Sequence, residues 1–207
     1  CKICKQYIPD LMNKYGDYIE GPACRHCKQP AMFVRGIPRG VKLLMYTPID
    51  DKGPSIESML RTFGMMGDVY ADPTYRLAQG LPDAQLKEFY WSMDAYLSFA
   101  TEGWGLPILE AMSCGIPVIT GDYSAHPDFC APGSLLVEAE TWMIENRASL
   151  MRPIPNFGQF IGHALTLMDD PLQHKSVSNS ARQAAIDLDW NLVSKMWEVK
   201  IDELLGT

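Results

Sequence analysis

A strand–helix–strand pattern at the centre of the chain constrains its fold most strongly. Residues 94–99 (DAYLSF) and 116–120 (IPVIT) are apolar runs of strand length. Between them lie the glycine-rich turn TEGWG and the helical segment LPILEAMSC, which Gly115 ends. Strands that alternate with helices indicate a parallel sheet covered by helices.

The same alternation extends along most of the chain, so we predict an α/β fold: a Rossmann-like parallel sheet with helices on both faces. The stretch 139–155 has no clear period, and we expect it to be irregular. The remaining predicted elements are strands at 41–47, 68–71 and 135–138 and helices at 55–64, 83–93, 156–169, 171–187 and 190–205.

Composition narrows the class of protein. The chain has 207 residues, of which 47% are apolar and 21% charged, and this excludes a disordered chain. No apolar run reaches the ~18 residues of a membrane span, and no signal peptide is visible. We therefore expect a cytoplasmic protein without a membrane span. Because the chain opens directly on a candidate metal ligand, Cys1, we also expect polypeptide upstream.

Four of the six cysteines form two C-x2-C pairs near the start, Cys1 with Cys4 and Cys24 with Cys27. Two such knuckles complete a tetrahedral site of four thiolates, which favours structural zinc. Two disulfides or four free thiols are the alternatives. We predict a Cys4 zinc-ribbon-like module at residues 1–41, followed by the α/β domain at 42–207, because a segment this short needs a metal to be stable.

The net charge of −7 is divided at the same place. Residues 1–42 carry eight Lys or Arg against three Asp or Glu, whereas the rest carries ten against 22. A basic head on an acidic body suggests two modules with different partners. Contact between the head and nucleic acid is one use of this charge, although the head has no obvious set of stacking aromatic side chains beyond Tyr7, Tyr15 and Phe33.

The central turn has the features of an anion site. Gly103 and Gly105 let the backbone approach a ligand, and Pro107 suits the first helical turn, where its missing N–H has no cost. Unpaired N–H groups at the helix start, with the helix dipole behind them, bind phosphates. Glu102 before the helix and Glu110 inside it are acceptors for sugar hydroxyls. A nucleotide sugar fits this combination, while a loop charge and a solvated helix residue are the alternatives.

Residues 102–118 read EGWGLPILEAMSCGIPV. This segment resembles the E-x7-E motif, EGFGLPxLEAMACGxPV, of the retaining glycosyltransferases of family 4, and the similarity extends over roughly residues 42–205. The resemblance implies the donor-binding domain of a GT-B fold, which transfers a hexose from a nucleoside diphosphate sugar to an unknown acceptor. It implies no catalytic metal.

The resemblance also implies roles for individual residues. Glu102 would hold the transferred sugar and support charge at its anomeric carbon, and Glu110 would bind the ribose hydroxyls. Backbone N–H groups around Trp104, Gly105 and Leu106 would hold the diphosphate. The donor-binding set is Glu102, Gly103, Trp104, Gly105, Leu106, Pro107 and Glu110.

The chain departs from this family in three ways. The acceptor-side Rossmann-like domain is absent from the sequence, so it would lie upstream or on a partner chain. The family's G-R…K-G loop is replaced by the cysteine-rich head, and Lys52 is the nearest substitute. Trp104 stands where phenylalanine is usual, and it either stacks on a ring or packs under the loop.

Three further features need weighing. His126 follows the strand 116–120, at the rim where doubly wound sheets bind ligands, and is a candidate site residue. Cys114 reads as a small core residue. The last helix carries a broad apolar stripe, which we expect to dock on the domain's own sheet, with another domain or chain as the alternative. The stripe consists of Trp190, Val193, Trp197, Ile201 and Leu204.

Two functions remain open from the sequence. One is a retaining glycosyltransferase whose active site is completed by a second domain. The other is a non-catalytic binding or scaffold protein, in which a degenerate donor domain is joined to a zinc module.

Overall fold

The computed structural model describes residues 17–23, 30–35, 41–45, 55–62, 64–71, 80–145 and 150–206. It divides the chain into two compact units, Cys1–Pro82 and Asp83–Thr207. The predicted module boundary between residues 41 and 42 stays a prediction.

The first unit contains two strand pairs. Strands β1 (Asp17–Ala23) and β2 (Pro30–Arg35) pair antiparallel, and Cys24 and Cys27 fall between them in sequence. Strands β3 (Leu43–Met45) and β4 (Val69–Ala71) pair in parallel, as the alternation of strands and helices predicts.

Helix α1 (Ile56–Thr62) connects β3 to β4 in sequence. Ser55 caps this helix, because the Ser58 N–H donates to Ser55 Oγ at 3.2 Å. Satisfying an N-terminal N–H in this way sets where the helix begins.

The second unit is built on a three-stranded parallel sheet. Its strands β5 (Tyr96–Ser98), β6 (Val118–Gly121) and β7 (Ser134–Val137) lie in the order β5-β6-β7. All three were predicted, and the α/β fold is confirmed. The carboxyl ends of the three strands meet at one edge of this sheet, which we call the carboxyl edge.

Helices surround this sheet, and two of them precede and follow β5. The described helices do not combine the length and apolarity needed to cross a bilayer. The helices of the unit are α2 (Asp83–Trp91), α3 (Leu106–Ser113), α4 (His126–Cys130), α5 (Phe157–Asp169), α6 (Pro171–Ile186) and α7 (Trp190–Leu205), with a 3₁₀ turn at Ala131–Gly133.

The core has one layer on each face of the sheet, because successive strand side chains point in opposite directions. Val118 of β6 packs on one face with Ile108 and Met112 of α3. Its neighbour Ile119 packs on the other face with Leu167 of α5. All but Leu167, which is 6% exposed, are at most 1% exposed. These layers fix α3 and the turn before it against the sheet.

The three carboxyl-terminal helices begin at residues with the side chains that caps require. Asn156 accepts from the Gln159 N–H, Asp170 accepts from two N–H groups of α6, and Asp189 accepts from the Asn191 N–H. Such caps contribute about 1 kcal/mol each. They explain why these helix boundaries could be predicted to within a residue or two.

The prediction of an irregular stretch at 139–155 is wrong. Strands β8 (Ala139–Glu145) and β9 (Leu150–Pro155) form an antiparallel hairpin there. Pro153 and Pro155 obscured the pattern, because proline usually argues against a strand. In a two-stranded sheet both strands are edge strands, which tolerate proline.

Helix α4 and the 3₁₀ turn after it were not predicted. Ser124, with a φ of 61°, turns the chain into α4, and Pro127 occupies the first turn of that helix. The sequence SAHPD gives no helix signal, because serine, proline and aspartate are typical turn residues.

The expectation that the last helix docks on its own sheet is also wrong. No residue of α7 is buried, and Trp190 and Trp197 are 80% and 64% exposed. The apolar stripe of α7 is therefore available to another domain or chain, which was the alternative.

Candidate functional site

The glycine turn and the start of α3 lie at the carboxyl edge. Gly105 caps α3 with a left-handed φ of 87°, and no side chain caps this helix. The N–H groups of Ile108 and Leu109 donate to the Gly105 carbonyl at 3.0 and 3.3 Å. The backbone donors for an anion are therefore those of Trp104, Gly105 and Leu106, because Pro107 has no N–H.

Glycine is required at position 105 for two reasons. A positive φ is costly for any residue with a side chain. In addition, a Cβ at Gly105 would stand 3.2 Å from Ile108 Cδ1 and 3.3 Å from Phe129 Cζ. At Gly103, by contrast, a Cβ would meet nothing within 4 Å, so the turn is open to solvent there.

Glu102 lies in the same turn and is partly buried. Ser124 Oγ donates to the Glu102 carbonyl, which ties this turn to the turn before α4. The Glu102 carboxylate makes no hydrogen bond or ion pair within the described part of the chain. Its charge helps to raise the pKa of Tyr96, after the larger effect of burial. The carboxylate is thus placed at the carboxyl edge with its acceptors unused by described neighbours.

Glu110 is on α3, about one turn into the helix, and it is partly buried. Tyr90 Oη donates to Glu110 Oε2 at 2.8 Å. Both side chains line an open groove of about 460 Å³ between α2, α3 and α6. Glu110 is therefore not simply a solvated helix residue.

Trp104 combines the two roles considered for it. Its ring stacks on Phe129, with the centroids 5.0 Å apart and the planes 27° from parallel, yet 45% of the residue is exposed. One face thus packs under the turn while the side chain remains accessible to a ligand.

His126 does not reach the surface. It is fully buried, with Nδ1 at 3.2 Å from both Thr120 Oγ1 and the Gly121 carbonyl oxygen. Thr120 Oγ1 donates to the Ser98 carbonyl at 2.8 Å, so towards the histidine it is an acceptor, and Nδ1 carries the proton. His126 is therefore a buried residue that stabilises the carboxyl edge, and it is not accessible to a ligand.

The hairpin β8–β9 lies beside the site, and the sequence did not indicate this hairpin. It begins directly after β7 and therefore at the carboxyl edge. Trp142 packs edge-on against Tyr123, with ring centroids 6.4 Å apart. Arg152 Nη1 lies 3.4 Å from Thr101 Oγ1, which brings a guanidinium to the residue that precedes Glu102 in the chain. The one available signal was a pair of arginines, Arg147 and Arg152, in an acidic part of the chain.

His163, His174 and Cys114 have structural surroundings. Nε2 of His163 lies 3.1 Å from the Leu136 carbonyl oxygen, and Nε2 of His174 lies 2.8 Å from that of Asp94. Cys114 is partly buried against the core, and it also lines the groove beside Glu110.

The predicted zinc ligands Cys1, Cys4, Cys24 and Cys27 lie outside the described residues, as does Lys52. Within the described ranges, no group of three or more His, Cys, Asp or Glu side chains could hold a metal ion. The zinc site therefore stays a prediction.

Part of the chain is similar in sequence to known proteins. Residues 73–148 match the family described as "Glycosyl transferases group 1". Over 60 residues the chain is 38% identical to the O-antigen chain mannosyltransferase B of Escherichia coli, covering 28% of this chain and 16% of that protein. Over 103 residues it is 27% identical to a GDP-mannose-dependent monoacylated alpha-(1-6)-phosphatidylinositol monomannoside mannosyltransferase of Corynebacterium glutamicum, covering 50% and 22%.

Solved structures share the fold. Sucrose-phosphate synthase from Thermosynechococcus elongatus superposes with a TM-score of 0.57 at 17% identity, over 80% of this chain and 39% of that one. A glycosyltransferase from Rickettsia africae ESF-5 gives 0.57 at 16% identity, over 80% and 40%. The chain thus spans less than half of each of these proteins. Within its α/β fold, residues 73–148 are the part that is similar to the glycosyl transferases group 1 family.

Proposed function

We propose that this chain is the donor-binding part of a retaining glycosyltransferase that transfers a hexose from a nucleoside diphosphate sugar. One observation carries the proposal: a helix that starts at a left-handed Gly105 has Glu102 just before it and Glu110 one turn inside it. A helix start of this kind, flanked by two carboxylates at the carboxyl edge, supports an anion site there.

The diphosphate is the leaving group, and stabilising its charge is the main task of the site. The N–H groups of Trp104, Gly105 and Leu106 and the positive end of the α3 dipole are directed at it. Arg152 adds a guanidinium beside the same turn, and guanidinium groups suit phosphate oxygens. Fixed donors of this kind need no reorganisation as the bond to the anomeric carbon breaks.

The two carboxylates take different parts of the donor. Glu102 hydrogen-bonds the transferred sugar, and its negative charge favours the positive charge that develops at the anomeric carbon. Glu110 accepts from the ribose hydroxyls. As the bond from the anomeric carbon to the phosphate oxygen breaks, the acceptor hydroxyl forms the new bond from the same face and gives its proton to the departing phosphate oxygen, so the anomeric configuration is retained.

The names of the two curated relatives suggest the first donor to test, since both are mannosyltransferases and one is described as GDP-mannose-dependent. We propose GDP-mannose as that donor. The proposal also includes an acceptor and a cytoplasmic location. It further includes a second Rossmann-like domain, which lies upstream or on a partner chain.

Calorimetry tests this function. Wild-type protein should bind GDP, UDP or ADP, and GDP-mannose should be the first sugar nucleotide titrated. Glu110→Gln should weaken binding of the nucleotide about tenfold, because a carboxylate is a stronger acceptor than an amide. Glu88→Gln, an exposed change on α2, is the matched control. Absence of binding to all these nucleotides would disprove the proposal.

A non-catalytic binding protein is the second candidate, and the exposed stripe of α7 favours it. Turnover distinguishes the two functions. A chain that binds a sugar nucleotide but shows neither transfer nor hydrolysis, even when it is supplied with the proposed second Rossmann-like domain, would be a binding protein.

A further inference from the structure

The hydrogen bond between Tyr90 and Glu110 joins two helices. Tyr90 is at the end of α2 and only 5% exposed, while Glu110 lies on α3. Their side chains meet at 2.8 Å across the floor of the groove. Because this contact involves the Glu110 carboxylate of the proposed site, it bears on ligand binding as well as on helix packing.

The tyrosine ring is held on several sides. It packs in the core cluster with Ile108 and Met112, and its centroid lies 6.0 Å from that of Tyr96 and 6.1 Å from that of Phe89. A ring buried in this way cannot change rotamer without opening a cavity. The position of the Tyr90 hydroxyl is therefore fixed by the core.

The direction of the hydrogen bond is fixed as well. Burial, and then the hydrogen bond to the Glu110 carboxylate, raise the pKa of Tyr90 above its usual range. The phenol keeps its proton at every physiological pH, so Tyr90 is always the donor and Glu110 the acceptor.

This bond orients the carboxylate and leaves most of its acceptor capacity unused. A carboxylate has about four lone-pair sites, and Tyr90 occupies one of them on Oε2. Oε1 has no hydrogen-bond partner among the described residues. A free glutamate would lose side-chain entropy when a ligand ordered it, and here that loss has already occurred on folding.

We propose that Tyr90 is a positioning residue, which presents the Glu110 carboxylate to the vicinal hydroxyls of a ribose in the groove between α2, α3 and α6. The inference rests on the proposed function, which assigns the ribose to Glu110. It adds that the selectivity for a ribose with both hydroxyls depends on Tyr90, which acts through the Glu110 carboxylate.

The test compares two ligands that differ only in the hydroxyls. Calorimetry would be done with full-chain wild-type and Tyr90→Phe proteins, using the nucleoside diphosphate that the wild type binds and its 2′,3′-dideoxy form. Tyr90→Phe should weaken binding of the ribonucleotide roughly fivefold to tenfold, and leave the dideoxy nucleotide within about twofold. A purely structural role would weaken both equally, and that result would overturn the inference.

Tyr96→Phe is the matched control. Its ring is a neighbour of Tyr90, but no hydrogen bond joins its hydroxyl to Glu110 in the described structure. It should leave the ratio between the two ligands unchanged. A ratio that moves as much as it does in Tyr90→Phe would count against a specific role for Tyr90.

A double-mutant cycle gives a second readout that does not depend on small changes in stability. In a Glu110→Gln background, Tyr90→Phe should cause no further loss of ribonucleotide affinity. Additive losses would overturn the inference. If Glu110→Gln weakens nucleotide binding and Tyr90→Phe does not, the inference about Tyr90 fails but the proposed function stands. If the wild-type protein binds no nucleotide, the proposed function itself fails.

Discussion

The ring of Phe129 lies against Gly105, so that a Cβ on that glycine would come within 3.3 Å of Phe129 Cζ. Phe129 belongs to α4, and it also stacks on Trp104. The phenylalanine thus holds both the helix cap and the aromatic side chain of the turn. The shape of the proposed anion site depends on this packing from an element that follows it in sequence.

Gly105→Ala should therefore damage both stability and binding. A positive φ costs about 1–2 kcal/mol for a residue with a side chain, and the contacts with Ile108 and Phe129 add to this. We expect the free energy of unfolding in urea to fall by about 2 kcal/mol or more, with loss of nucleotide binding by calorimetry.

Gly103→Ala is the stability control for that experiment, because a Cβ there meets nothing within 4 Å and its φ is not positive. Its free energy of unfolding should stay within about 0.5 kcal/mol of the wild-type value. Equal stability of the two variants would show that neither the backbone angle nor the Phe129 contact matters at position 105.

The buried His126 should make stability depend on pH. Burial is the main cause that lowers the pKa of His126 below its ordinary value of 6.5, although the Gly121 carbonyl and Glu102 act in the opposite direction. Above pH 6.5 the ring is neutral in both folded and unfolded chains. Below it the unfolded chain binds more protons, so stability falls as the pH decreases from 6.5 towards the folded pKa.

Urea unfolding at pH 7.5 and pH 5.5 would measure this effect. His126→Gln keeps an N–H donor for Thr120 and the Gly121 carbonyl but does not titrate, so its stability should fall less between the two pH values. Other titrating groups cancel in the difference between the two proteins. Parallel curves for wild type and variant would contradict the prediction.

The parts of the fold that the sequence predicts correctly depend on local signals. The segment from β5 through α3 to β6 has apolar runs, a glycine turn and a terminating Gly115, whose φ is 75°. Asn156 and Asp170 mark helix starts by side chains that accept backbone N–H groups. These signals act within a few residues, so one sequence is enough to recognise them.

The parts that could not be predicted depend on distant contacts. Tyr90 and Glu110 are twenty positions apart, and nothing in either segment indicates that their side chains meet. His126 follows a strand as a site residue would, but Thr120 and the surrounding rings bury it. The docking of α7 could not be read from its stripe, because a stripe shows that a helix is amphipathic and not what covers it.

The cysteine pairs should hold one zinc ion per chain. Native mass spectrometry of reduced protein should show this mass, and a Cys24→Ser, Cys27→Ser double variant should lose it. Because a short module needs its metal, removal of the ion with a chelator should unfold the head. A reduced, full-length sample that carries no metal would exclude the site.

Cys114→Ser is the matched control for the metal measurement, since Cys114 is partly buried on α3's carboxyl end and belongs to no C-x2-C pair. It should retain the full zinc content. A loss of metal in this variant as large as in the double variant would mean that the measurement reports general damage.

Arg152→Gln should weaken binding of the diphosphate. The guanidinium lies beside Thr101, next to Glu102, so its charge acts on any anion at the start of α3. Because Arg152 is exposed, salt screens its charge, and we expect a roughly threefold to tenfold loss of nucleoside diphosphate affinity at low salt that shrinks at high salt.

Lys175→Gln is the matched control, because it also removes one positive charge but does so away from the site. Lys175 is next to His174, whose ring is hydrogen-bonded to the Asp94 carbonyl, and Asp94 precedes the amino end of β5. If both variants lose affinity equally, the effect belongs to net charge, and Arg152 has no specific part in holding the diphosphate.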